Sequence, residues 1–210
     1  VILIEKSHKT YPNYPTRAFL LALEDVLGKN GVNALLRIAN LQGWIETYPA
    51  ENFNREVDLS EFSSLNAALD EIYGSRGGQS LARRASKSAF DLTWKQHSAF
   101  GDLQTADFES LPAQTRNKEG LTVFAEVLSA ASDLECEVQE KDNLILFRVQ
   151  NCPVCWGRET SSPTCQGFIG LLEGCLYWLG SGDEFEVTEE ECSATEAEAC
   201  TFSIKKTPVE

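Results

Sequence analysis

Cys152-Pro153-Val154-Cys155, Cys165, Glu189, Cys192 and Cys200 stand close together towards the end of this 210-residue chain. The pattern around them reads turn, helix, strand, turn, strand. Zinc takes four ligands in a tetrahedron, usually thiolate, imidazole or carboxylate. Glu189 and Cys192 close a strand, and Cys200 opens the returning one, so a hairpin brings the two cysteines together. Cys165 begins a helix, and a helix N-terminus favours a thiolate. One helix end and one hairpin therefore offer three sulfurs and one carboxylate. Cys152 and Cys155 are rival ligands, because C-x-x-C chelates by its spacing. A site of Cys152, Cys155, Cys165 and either Cys192 or Cys200 satisfies the same chemistry. With four protein ligands the site is structural, since a catalytic zinc keeps one position open. No βαβ context supports a thioredoxin-like use of the C-x-x-C pair. Cys136 and Cys175 read as small buried hydrophobes.

The chain has seven cysteines, an odd number that does not suit a closed disulfide framework. No opening segment resembles a signal peptide, and together these features predict a reducing, cytosolic-type compartment. The formal net charge of −14 argues against a general nucleic-acid binder and against docking on an anionic membrane by charge. The acidity concentrates between Asp183 and Glu198, a stretch with no Lys or Arg. That run reads as a solvated face, with a docking surface for a basic partner as the sharper alternative. An apolar fraction of 42% is enough for one core, and no apolar run is long enough to span a bilayer.

Helical spacing dominates up to residue 132. Phe19, Leu20, Leu23, Val26 and Leu27 share one face, Gly28 breaks it, and Val32, Leu35, Leu36 and Ala39 form a second short helix. Asp58 is an N-cap with Glu61 placed to complete a capping box, followed by the stripe Phe62, Leu65, Leu69 and Ile72. Tyr73 to Gly78 is a break. The next helix carries Leu81, Ala85, Ala89 and Leu92, with Phe90 and Trp94 beside them, and is rich in Ala and Ser. Another helix or a flat ligand can approach such a face closely. Residues 109–132 form a further helix with Leu121, Phe124, Val127 and Leu128 inward. The period then changes to two: residues 135–139 and 144–149 make a hairpin, 167–179 a helix, and two more strands follow through Phe185 and Val187 and through Cys200, Phe202 and Ile204. The expected fold is α+β, with N-terminal helices packed on a C-terminal antiparallel sheet and a zinc-stapled helix and hairpin.

No catalytic constellation emerges. His8 lies in a polar stretch and reads as a surface residue. His97 ends a helix, where capping or surface exposure is the ordinary role and axial ligation of a tetrapyrrole the sharper one. Gly74 to Gly78 lacks nucleotide-loop spacing and follows no strand. The aromatic and apolar faces suggest a ligand pocket of Phe62, Leu65, Phe90, Trp94, Phe124, Phe168 and Leu172, residues that core packing explains equally.

Pro163-Thr164-Cys165, Gly170-Leu171-Leu172-Glu173-Gly174, Glu189-Glu190-Glu191-Cys192 and Cys200-Thr201-Phe202 together resemble the 4-vinyl reductase domain family. Asn151-Cys152-Pro153-Val154-Cys155 resembles that family at the same place. Residues 40–89 resemble its helical part more loosely. The resemblance implies one domain over residues 1–210, mainly helical to 132, with sheet and cysteine-rich part from 133. It implies a fold shared with small TRAPP subunits and, more distantly, with heme-based NO sensors, built around an apolar pocket and often dimeric. It implies zinc on Cys165, Glu189, Cys192 and Cys200. The gap from Cys165 to Glu189 is about one residue longer than in related sensors, which makes Glu190 the near alternative. It also implies a non-enzymatic carrier or assembly factor that binds a hydrophobic molecule, a tetrapyrrole in the pigment-handling members. Cytoplasmic location, or peripheral association with a photosynthetic membrane, follows from that use. A homo- or heterodimeric interaction subunit with a self-filled pocket, and an accessory component of a vinyl-tetrapyrrole reductase, are the alternatives.

Overall fold

The computed structural model describes residues 3–209. A two-stranded ribbon opens the fold: β1 (Thr10–Pro12) pairs antiparallel with β2 (Arg55–Asp58). Strands of three and four residues are too short for a two-residue period to register in the sequence. Between them runs α1 (Asn13–Ile38). Its helical geometry breaks at Gly28, which sits at φ 68° and ψ 163°. Only glycine adopts that conformation cheaply.

Asp58 ends the ribbon and starts α2 (Leu59–Leu92). Its Oδ1 accepts from the Ser60 amide at 2.9 Å, and Glu61 accepts in return from the Asp58 amide at 2.9 Å. This is the reciprocal cap that the spacing predicts. Gly74, at φ 70° and ψ 159°, divides α2 as Gly28 divides α1. Beside these breaks the apolar stripes run out into solvent: Val26, Ile72 and the terminal Leu92 are exposed, unlike the rest of their faces.

After two short 3-10 turns, α3 (Ala106–Glu109) and α4 (Ala113–Ala131) lead into β3 (Glu135–Lys141) and β4 (Leu144–Gln150). Then come α5 (Gln166–Leu179), β5 (Phe185–Glu191) and β6 (Cys200–Pro208). The four strands form one antiparallel sheet in the order β3-β4-β6-β5. Ile145, Phe147 and Val149 of β4, Phe185 and Val187 of β5, and Phe202 and Ile204 of β6 face the core. The fold is α+β, N-terminal helices packed on a C-terminal four-stranded antiparallel sheet.

The Ala- and Ser-rich face of α2 is covered by α5. Gly170 comes so near that a Cβ there would lie 2.0 Å from the Arg83 carbonyl oxygen, and one on Gly174 would lie 2.8 Å from the Phe90 Cβ. Arg83 clamps the pair from the side. It donates two hydrogen bonds to Glu173, at 2.9 and 2.5 Å, and one to Gln166 at 3.1 Å. Such a fork fixes geometry as well as charge. Rings continue the contact from α1 to the sheet. Phe19 meets Phe62, then Tyr11, Trp94, Phe124, Phe147 and Phe168 follow, and Phe168 stacks on Phe202 with centroids 5.0 Å apart.

Candidate metal centre

Three chain segments meet at the end of the sheet nearest α5. After β4, Asn151 adopts a left-handed conformation (φ 59°) and turns the chain into Cys152-Pro153-Val154-Cys155. The register pairs Val149 of β4 with Cys200 of β6, so this turn starts beside the first residue of β6. Cys165 is the N-cap residue of α5. β5 alternates Phe185, Val187 and Glu189 into the core, which places a carboxylate on an otherwise apolar face. Cys192 follows that strand directly.

The sulfurs crowd together. Cys165 Sγ lies 3.6 Å from that of Cys152 and 3.7 Å from those of Cys192 and Cys200. Cys155 Sγ lies 3.5 Å from Cys200 Sγ. A tetrahedron of thiolates around zinc at ~2.3 Å has edges of ~3.8 Å, so these spacings suit a metal without rearrangement. Two sets of four ligand atoms each fall within 4.8 Å of one another: Cys152, Cys155, Cys165 and Cys200, and Cys165, Glu189, Cys192 and Cys200. All six residues are buried and all five cysteines are free thiols. The cluster can hold a metal such as zinc. Its members treated in the sequence as rivals occupy one place.

Glu189 is 8% exposed. Its Oε2 accepts from the Cys165 amide at 2.8 Å, while its Oε1 is buried and has no hydrogen-bond partner. Burial, and then the neighbouring charge of Cys192, push this carboxyl up to about 9. Glu190 points the other way and accepts from Ser203 Oγ at 2.5 Å. It is therefore not at the cluster. Burial likewise raises Cys165 well above the usual thiol range. Losing a proton there requires a cation to replace it. Ser193 donates its amide to Cys200 Sγ at 3.4 Å, which orients that sulfur. Cys136 and Cys175 stand outside the cluster. Cys175 is fully buried in α5 and Cys136 half-buried on β3, its thiol pushed up to about 12 by burial.

All seven residues expected to line a pocket are buried. Phe62, Trp94 and Phe168 border one cavity, together with Tyr11, Phe19, Ser86, Gly167 and Leu171 among others. Leu65, Phe90, Phe124 and Leu172 lie in the core away from its wall. The cavity is small, about 20 Å³. Trp94 Nε1 is a buried donor that makes no hydrogen bond of ordinary geometry, although it lies near enough to the Tyr11 phenol to favour its ionised form. His97 lies off the cavity, its ring edge-on to Phe53 at 5.0 Å and its Nδ1 accepting from the Ala99 amide at 3.3 Å. His8 is exposed.

No protein-family model matches this chain, and no curated protein matches it by sequence. Solved structures do. A variant of the Tt H-NOX protein superposes with a TM-score of 0.56 at 15% identity, over 95% of this chain and 97% of its own. The fold is H-NOX-like. An H-NOX protein from S. oneidensis in the Fe(II)NO ligation state gives 0.53 at 16% identity, over 90% of this chain and 98% of its own. The H-NOX protein from Shewanella woodyi bound to IWP-051 gives 0.52 at 18%, over 91% and 92%. These likenesses establish architecture over nearly the full length.

Heme is named for the H-NOX family in one of the matched structures, and the aromatic cavity of this chain does not fit that group in this conformation. Ligand pockets run to roughly 300–1,000 Å³, against the 20 Å³ here. Its wall includes no histidine, and its one residue of axial-ligand type, Tyr11, has its phenol held protonated by burial. No helix among the described residues is long and apolar enough to cross a membrane.

Proposed function

We propose that this chain is a non-enzymatic binding domain for an apolar, ring-bearing small molecule, held in shape by a structural zinc at the cysteine cluster. The observation that carries this reading is Trp94 Nε1, a buried donor at the wall of an aromatic cavity whose interaction with the Tyr11 phenol falls outside ordinary hydrogen-bond geometry. A buried N–H without a partner costs about 1–3 kcal/mol, and a ring with one acceptor atom removes that cost. The cavity is water-sized when closed, so a ring enters as one wall residue swings aside. A tetrapyrrole, the ligand implied by the 4-vinyl reductase resemblance, needs the cavity lined by α1, α2 and α5 to widen. Carriage of pigment to a photosynthetic assembly partner, in a cytoplasmic setting, is that narrower form. We take residues 1–210 as one such domain.

The test is NMR of the indole N–H resonances of reduced, zinc-loaded protein during titration. The probes are acetophenone, a ring with one acceptor, benzene, a ring with none, and protoporphyrin IX. Saturable movement of the Trp94 signal with acetophenone, at least tenfold weaker with benzene, supports the reading. Saturation by protoporphyrin IX alone supports the tetrapyrrole form. No saturable shift with any probe sinks both. The alternative is then an interaction subunit whose own rings fill the pocket, a reading favoured by full burial of Trp94, Phe90 and Phe124. That alternative requires a concentration-dependent dimer in sedimentation.

A further inference from the structure

We propose that the cysteine cluster is a binuclear site: two zinc ions, each tetrahedral, bridged by the thiolates of Cys165 and Cys200. This rests on reading the cluster as a metal centre and goes beyond it in number and connectivity. The two sets of four ligand atoms share two members, Cys165 and Cys200. Two tetrahedra that share two vertices share an edge, and the shared edge here is the 3.7 Å separation of those two sulfurs. One ion takes Cys152 and Cys155 as its terminal ligands. The other takes Cys192 and Glu189.

Neither single-ion site accounts for all six groups. An ion held by Cys152, Cys155, Cys165 and Cys200 leaves the Oε1 of Glu189 buried and unpartnered. It also leaves Cys192 as an unused thiol only 3.7 Å from the sulfur of Cys165. An ion held by Cys165, Glu189, Cys192 and Cys200 strands Cys155 at 3.5 Å and Cys152 at 3.6 Å from sulfurs already coordinated. Edge sharing uses every one of these atoms. Charge does not oppose the second ion, since six anionic ligands on two divalent ions leave −2, the same net charge as four anionic ligands on one. The two positions differ in access. Cys152 and Cys155 border an open cleft of about 1040 Å³, whose rim includes Trp156, Arg158, Ser193 and Glu196. Glu189 and Cys192 are absent from that cleft's wall. The outer ion is therefore the one that exchanges.

The experiment loads reduced full-length protein with Zn²⁺, removes excess by desalting over a weak chelator, and weighs it by native mass spectrometry. X-ray absorption at the zinc edge is recorded on the same sample. The expected result is two zinc ions per chain with a zinc–zinc vector at about 2.7 Å, the separation that edge-sharing tetrahedra with Zn–S of about 2.3 Å impose. One zinc per chain overturns the binuclear proposal and leaves the metal centre standing. No retained zinc overturns both. Two zinc ions without the short vector overturn the bridging. In C152S and C192S the count should fall from two to one. The wild-type count and vector decide the question even where a variant does not fold.

Discussion

Partial burial works against the ionised form of Asp58, yet hydrogen bonds from Ser60 and Ser7 outweigh it and hold the carboxyl well below the usual carboxylate range. A folded-state value below the unfolded one means that stability is present above the unfolded pKa of about 3.9 and is lost as pH falls through the folded value. Asp58→Ala should lower stability by about 1 kcal/mol at neutral pH, the ordinary worth of an N-cap. The gap between variant and parent in urea melts should narrow below about pH 4. At this scale much was legible in the sequence. The cap needs only residues 58 to 61, and local chemistry decides it. Glu189 was harder, because Glu190 beside it is chemically identical. Only the strand's alternation, which sends one carboxylate inward and the other to Ser203, separates them. The buried indole of Trp94 has no sequence signal for its polar environment, which depends on residues distant in the chain.

The packing of α5 on α2 rests on missing side chains. Gly170→Ala gains helix propensity of about 1 kcal/mol, but its methyl meets the Arg83 carbonyl at 2.0 Å. Overpacking of that kind costs about 1–3 kcal/mol or more, so the urea midpoint should fall. Gly43→Ala is the control: a Cβ there meets nothing within 4 Å, and the midpoint should stay within experimental error. The small-residue face of α2 was visible in Ala85, Ala89 and the richness of that stretch in Ala and Ser, but its occupant was not. A helix roughly eighty residues later in the chain covers it, and periodicity carries no information about which distant element pairs with which. The same gap explains the rival ligand sets. Spacing places Cys192 near Cys200 through a hairpin, whereas Cys152 arrives through the pairing of Val149 with Cys200, a contact between strands separated by α5 and β5.

The molecule as a whole divides its cohesion between two devices. A ladder of rings ties α1 to the sheet, and the cysteine cluster ties the β4 turn, the start of α5 and the β5–β6 hairpin together. Because a metal binds the folded cluster and little of the unfolded chain, its removal lowers stability by mass action. EDTA under reducing conditions should lower the melting temperature, added Zn²⁺ should restore it, and no change in calorimetry would count against a structural metal. The sheet has a further consequence at its rims. β3 and β5 are its outermost strands. Glu135, Glu137 and Glu140 stand on one, and Glu186, Glu190 and Glu191 on the other. Exposed strand edges invite pairing with a second chain, and charge on them is a known defence. Glu137, Glu140 and Glu186 are paired with Arg148, with Lys118 and Lys206, and with Lys205, so the repulsion between copies that approach rim to rim rests on Glu135 of one rim and on Glu190 and Glu191 of the other. A crowded solution of this protein would thus be guarded against runaway stacking of sheets, and lowering the pH enough to neutralise those carboxylates would remove the guard.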